Sequence, residues 1–136
     1  MQTLTKTILF TVDGLPPAKS EAHSMLGARH PHARRVVALL EAAAAASRRE
    51  GDVHLASARL GMEVVLTLAS ERPSDLTNYA GGIADVLEEK GHRMALDHLG
   101  DLARVALYDN DRQLCELTVR EQPGERTGYT VLIWEL

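Results

Sequence analysis

A single cysteine, Cys115, stands in a chain of 136 residues, so no internal disulfide can form. That scarcity suits a reducing compartment, and the expectation is a cytoplasmic protein. The neighbours Leu114 and Leu117 lead us to expect a buried thiol rather than a nucleophile. Long apolar runs are also missing, and none approaches the roughly 18 to 20 residues of a membrane span. The opening MQTLTKTILFTVDG lacks the layout of a signal peptide, because its apolar stretch is short and alternates with polar residues. A basic excess is absent too: the formal net charge is −4. That argues against a generic nucleic-acid binder, whose footprint is usually basic. There is no Walker-type glycine loop, no G-x-S-x-G and no CxxC pair. Neither an internal repeat nor a linker-like stretch occurs, which predicts a single domain over residues 1–136.

What is present is ordinary for a globular chain: 45% apolar and 25% charged residues, enough to bury a real core. The charge is uneven. Residues 1–50 hold seven Lys/Arg against four Asp/Glu, and residues 71–116 hold five against ten. This leaves room for a basic arm and an acidic pocket. Solvated helix faces that differ by chance would look the same.

Hydrophobic periodicity divides the chain into alternating elements. Residues 4–12 are β-branched and partly alternating, which predicts a strand that Gly14-Leu15-Pro16-Pro17 breaks. Residues 18–30 read as an exposed loop. From 31 to 50 the pattern is helical, with Val36, Val37, Leu39, Leu40, Ala43 and Ala44 on one stripe and Gly51 as C-cap. Residues 58–69 predict a second strand with Met62, Val64, Leu66 and Leu68 on one face. Residues 75–90 predict a helix whose apolar face holds Leu76, Tyr79, Ala80, Ile83 and Leu87. A short helix or ordered loop over 92–104 follows, with Leu96, Leu99 and Leu102 at threefold spacing. Then come strands over 104–108, 113–121 and 129–136, the last two joined by a hairpin loop at Pro123-Gly124 and Gly128. Short connections predict antiparallel pairing of these final strands, and the class is α+β: a small, mostly antiparallel or mixed sheet packed by two main helices.

The stretch from Asp75 to Asp111 carries the chemistry. On a helix at about 100° per residue, Asp75, Asn78, Gly82 and Asp85 fall within about an 80° arc beside the apolar face, well placed for a cleft. Gly81 and Gly82 each cost about 1 kcal/mol in a helix interior, so they predict close approach of another backbone, a partner or a ligand, or else tight packing of the helix on the sheet. Asp75 and Asp85 lie about 15 Å apart along a continuous helix and cannot share one ion. A second carboxylate for Asp75 must come from elsewhere, and Asp109-Asn110-Asp111 is the obvious source. Mg²⁺ takes oxygen ligands, typically one or two carboxylates. If Asp75 and the 109–111 turn share an ion, their carboxylates lie within a few Å of each other. Asp75 equally reads as a helix N-cap, and Asp109–Asp111 as a turn. His23, His30 and His32, beside Arg29, Arg34 and Arg35, match no zinc spacing. Lys19, Arg29, Arg34 and Arg35 form the candidate basic arm.

Taken in order, Asp75-Leu76-Thr77-Asn78, Asp85-Val86-Leu87 and Asp109-Asn110-Asp111-Arg112-Gln113-Leu114 resemble the RusA family of Holliday-junction resolvases. That family's pattern is D-x-D-N, a lysine three residues on, D-A-L, then D-D-x-Q-[IV]. The strand, Pro16-Pro17, polar loop and long helix of the N-terminal third agree as well. The resemblance covers almost the whole chain and implies a homodimeric, Mg²⁺-dependent endonuclease acting on branched DNA. Under it Asp75 and Asn78 match the first motif, Asp109 or Asp111 matches the turn aspartate, and Asp85 is a supporting residue. Asp75, Asp109 and Asp111 would hold the metal, and Lys19, Arg29, Arg34 and Arg35 would meet DNA phosphates. Thr77 and Gly81 stand where the family has an aspartate and the lysine. The alternative reading is therefore a catalytically degenerate RusA-fold protein that binds nucleic acid or a protein partner.

Overall fold

The structure is a computed structural model and describes residues 6–19, 33–90 and 97–136. Six main elements follow one another: β1 (Thr7–Asp13), α1 (Ala33–Arg49), β2 (Leu60–Leu68), α2 (Leu76–Leu87), β3 (Leu114–Pro123) and β4 (Gly128–Glu135). Two 3₁₀ segments, Asp97–Arg104 and Asp111–Gln113, lie between α2 and β3. The class is α+β. The α1 helix ends in a Schellman turn, with Gly51 at φ 82 and the Asp52 amide donating to the Ser47 carbonyl at 2.8 Å.

Strand order in the mixed sheet is β1-β4-β2-β3. The β4 strand is antiparallel to both β1 and β2, whereas β3 runs parallel to β2. The expected hairpin between the last two strands is therefore absent: β4 inserts between β1 and β2, and β3 takes the outer position. Tyr129, Val131 and Ile133 of β4 are buried under the helices, as are Ile8, Phe10 and Val12 of β1, while β3 is mostly exposed and suits an edge. Two strand spacings amount to about 10 Å, and the four residues 124–127 reach that far over the end of β2. Glycine at 124 matters here, because its amide donates to the Leu68 carbonyl at 3.0 Å and a Cβ would overlap the Thr67 methyl.

The edge position of β3 also corrects the expectation for Cys115, which is exposed. No strand forms over 104–108. Tyr108 makes one isolated bridge to Glu88, and residues 97–104 are a 3₁₀ segment kinked at Gly100. Of its expected apolar positions, Leu99 is buried and Leu102 half-buried, while Leu96 lies outside the described residues.

Both helices cover one face of the sheet. Ile8, Phe10 and Val12 of β1, Met62, Val64 and Leu66 of β2, and the inward residues of β4 meet Val36, Leu39, Leu40 and Ala43 of α1. Tyr79, Ile83, Val86 and Leu87 of α2 close the same core. This packing leaves α2 exposed only along a narrow polar stripe, and that stripe positions the site.

Candidate functional site at the two ends of α2

The α2 stripe runs Asp75, Asn78, Gly81, Asp85, Glu88. These residues are three or four apart and so lie one above another. Each end is built differently.

At the N-terminal end, Arg72 fixes the approach to the helix. Its Nε donates to Glu121 Oε2 at 2.8 Å, and Nη1 donates to the Ser74 carbonyl at 2.8 Å. Asp75 occupies the N-cap position with extended backbone, yet its side chain makes no capping hydrogen bond. The carboxylate is left to solvent. Asn78 Nδ2 donates to Ser74 Oγ at 3.3 Å, and Thr77 and Asn78 are exposed. Beneath them Tyr79 is fully buried, and its hydroxyl has no hydrogen-bond partner among the described residues. Burial raises the Tyr79 pKa, and the nearby positive charge of Arg35 opposes that rise.

At the C-terminal end the 105–111 segment is stitched to the helix. The Leu107 amide donates to the Leu87 carbonyl, and the Glu89 amide to the Tyr108 carbonyl, both at 2.9 Å. Glu88, the C-cap, accepts from the Asp111 amide at 2.9 Å through Oε2. Lys90 is 3% exposed and donates to the carbonyls of Val86 (2.8 Å) and Val105 (2.5 Å), satisfying acceptors at the helix end. Tyr108 donates from its hydroxyl to the Ala84 carbonyl at 2.5 Å. Its pKa is pushed well up, by burial first and then by the charges of Asp111, Glu88 and Asp85.

The 109–111 turn is itself a capped structure. Asn110 Oδ1 accepts from the Arg112 amide at 2.8 Å, while Gln113 Oε1 accepts from the amides of Asp109 (2.9 Å) and Asn110 (3.0 Å). Gln113 Nε2 donates to the carbonyls of Leu55 and Ala58 at 2.7 and 2.8 Å, so one side chain clamps the acidic turn to the loop before β2. Asp109 Oδ1 is bonded to His54 Nε2 at 2.6 Å.

These positions correct the expected metal site. Asp75 stands at the N-cap position of one end of α2, and Asp109 and Asp111 sit at the other. The twelve helical residues between them span about 18 Å. Within one chain the carboxylates of Asp75 and Asp109 or Asp111 do not converge, and no group of three His, Cys, Asp or Glu among the described residues is placed to hold a metal. The residues of a single chain therefore do not fit a shared Mg²⁺. Asn78 does lie with Asp75, one turn along the helix. Asp85 and Glu88 lie with Asp111 around Tyr108.

Among the basic residues, the Lys19 amide donates to the Asn78 carbonyl at 3.0 Å. Arg34 and Arg35 lie in the first turn of α1, and Arg29 is outside the described residues, as are His23, His30 and His32. Of the two α2 glycines, Gly82 serves packing, since a Cβ there would overlap the Pro17 carbonyl oxygen, whereas Gly81 lies beneath the Lys19 side chain with room for a Cβ at ordinary contact distance. Reasoning from sequence missed His54 and Glu88 altogether and gave Gln113 no role of its own. The spacing Asn110-x-x-Gln113 is a capping-box signature and would have shown the clamp. His54 has no local signal, since its partner lies 55 residues away.

No known protein family's sequence pattern matches the chain, and no curated protein matches it.

Proposed function

We propose that this protein is a RusA-like endodeoxyribonuclease selective for branched DNA such as Holliday junctions, working as a homodimer in which both copies supply each acidic site. The observation that carries this reading is the division of α2. An uncommitted carboxylate, Asp75, stands at one end, and an ordered acidic turn, Asp109–Asp111, stands at the other. A twofold axis beside the polar stripe sets the two α2 helices in opposite directions, so the Asp75 end of one copy meets the Asp109–Asp111 end of its partner. Two copies would then present the carboxylates that a hard cation such as Mg²⁺ takes. Such an ion, when bound, activates water and offsets the charge developing on a phosphodiester. The chain's own residues do the rest: Asn78 orients ligands or water beside Asp75, and Lys19, Arg29, Arg34 and Arg35 meet phosphates. A four-way junction matches the twofold symmetry.

Subunit mixing tests the division. D75N and D111N proteins are each inactive on a synthetic four-way junction with Mg²⁺. Mixed and re-annealed, they regain up to about a quarter of wild-type sites, because the mixed dimer holds one intact site. A mixture as inactive as its components sinks the shared site.

Thr77, an exposed hydroxyl where a carboxylate would serve a cation better, favours a second reading: a catalytically degenerate RusA-fold module that binds nucleic acid or a protein. Junction binding without cleavage at any Mg²⁺ concentration is its signature.

A further inference from the structure

Residues 16–18, Pro-Pro-Ala, are buried against the middle of α2, and the next residue, Lys19, is exposed. Gly82 is bare because the Pro17 carbonyl oxygen occupies the place of its Cβ. Gly81 faces a side chain instead. A Cβ there would lie 3.4 Å from Lys19 Cδ and 3.8 Å from Lys19 Cβ, so the lysine stem runs along the helix where a longer residue-81 side chain would run.

We infer that Lys19 is a phosphodiester-binding residue mounted on the middle of the α2 stripe, with Gly81 as its bed. This deepens the nuclease reading by naming the cation that receives the backbone phosphate at that stripe. The stripe is otherwise acidic: Asp75, Asp85 and Glu88 together repel a phosphate, and a cation between them is what lets one approach. Arg72, a second cation near this end, is committed to Glu121 and the Ser74 carbonyl, and Arg35 also acts on Tyr79 through its charge. The Lys19 ammonium has no ion pair or hydrogen bond among the described residues. Its stem is held in advance. Two prolines fix the backbone that leads to it, and its amide is tied to the Asn78 carbonyl at 3.0 Å. A side chain already laid along a groove loses less freedom on binding than a free arm does. Lys19 is therefore a part of the α2 platform, one turn from Asn78, rather than one more contact of a basic arm.

The test uses the ¹⁵N-labelled full chain and a thymidine dinucleotide bearing one phosphodiester. In wild type, titration shifts the amide signals of Asn78, Gly81 and Gly82 to saturation. Lys19→Met keeps the stem and removes the charge, and it weakens binding by about tenfold or more. Lys19→Ala with Gly81→Lys clears the stem from the helix, returns the charge from residue 81 and recovers affinity to within about threefold of wild type. No wild-type shift at these amides, an unchanged affinity in Lys19→Met, or no recovery in the folded double variant each overturns the inference. Junction cleavage measured in parallel separates the two readings. Lysine-dependent dinucleotide binding without cleavage keeps the Lys19 site and ends the nuclease reading. Cleavage with no dinucleotide shift does the reverse.

Discussion

His54 Nε2 lies 2.6 Å from Asp109 Oδ1, and the other nitrogen of the same ring faces the Ala106 carbonyl at 3.2 Å. Both neighbours are acceptors, so both bonds form only when both ring nitrogens carry protons. Burial alone would lower the His54 pKa. The bond to Asp109, the bond to Ala106 and the charges of Asp109 and Glu89 outweigh it, and the net shift is upward from the ordinary 6.5. The folded state therefore binds this proton more tightly than the unfolded state. The stability it contributes is fully present below the unfolded value and is lost as pH rises through the folded one. Urea unfolding near pH 5.5 and near pH 8.5 should show the wild type losing stability across this window. His54→Gln should remove that part of the difference. A pH profile identical in the two proteins refutes the pairing.

Gln113 makes four hydrogen bonds, two holding the backbone of Asp109 and Asn110 and two reaching Leu55 and Ala58. Truncation to Ala removes all four and leaves partly buried carbonyls without donors, at a cost of about 1–3 kcal/mol. Gln113→Glu keeps the shape but turns an oxygen toward two carbonyls, so it should not rescue. Chemical denaturation measures the loss. Amide exchange at Asp109 and Asn110 should accelerate in both variants, and unchanged exchange there means that the turn is held by something else.

The adjacent α2 glycines should respond with opposite signs. Gly82→Ala drives a methyl into the Pro17 carbonyl and destabilises by about 1–3 kcal/mol, since the obstacle is backbone. Gly81→Ala meets only the flexible Lys19 stem at ordinary contact distance, so helix propensity dominates and stability rises by about 0.5–1 kcal/mol. Thermal melts of the two variants decide it. A loss of similar size at both positions argues against the strap of residues 16–19 across α2.

Local pattern carried most of the elements. The alternation of Ile8, Phe10 and Val12, the stripe of Val36, Leu39, Leu40 and Ala43, and the glycine at 51 each act within a few residues, where backbone sterics and burial periodicity decide. The two α2 glycines likewise pointed to close approach, and the structure brings a backbone, Pro17, against one and a side chain, Lys19, over the other. Pairing partners were less legible. A four-residue connection limits how far β4 can lie from β3 without requiring that they touch, and in the sheet β4 lies between β1 and β2 while the exposed β3 takes the edge. The site was the least legible. Composition and motif order placed Asp75, Asn78, Asp109 and Asp111 in one acidic stretch, but sequence proximity is silent on which end of a helix a later turn returns to. That depended on long-range hydrogen bonds: Leu107 to Leu87, Asp111 to Glu88, and Gln113 to the loop at 55–58. Those bonds hold the turn about 18 Å from Asp75, the rise of a twelve-residue helix, because buried amides and carbonyls at the end of α2 must find partners and the 105–111 segment supplies them.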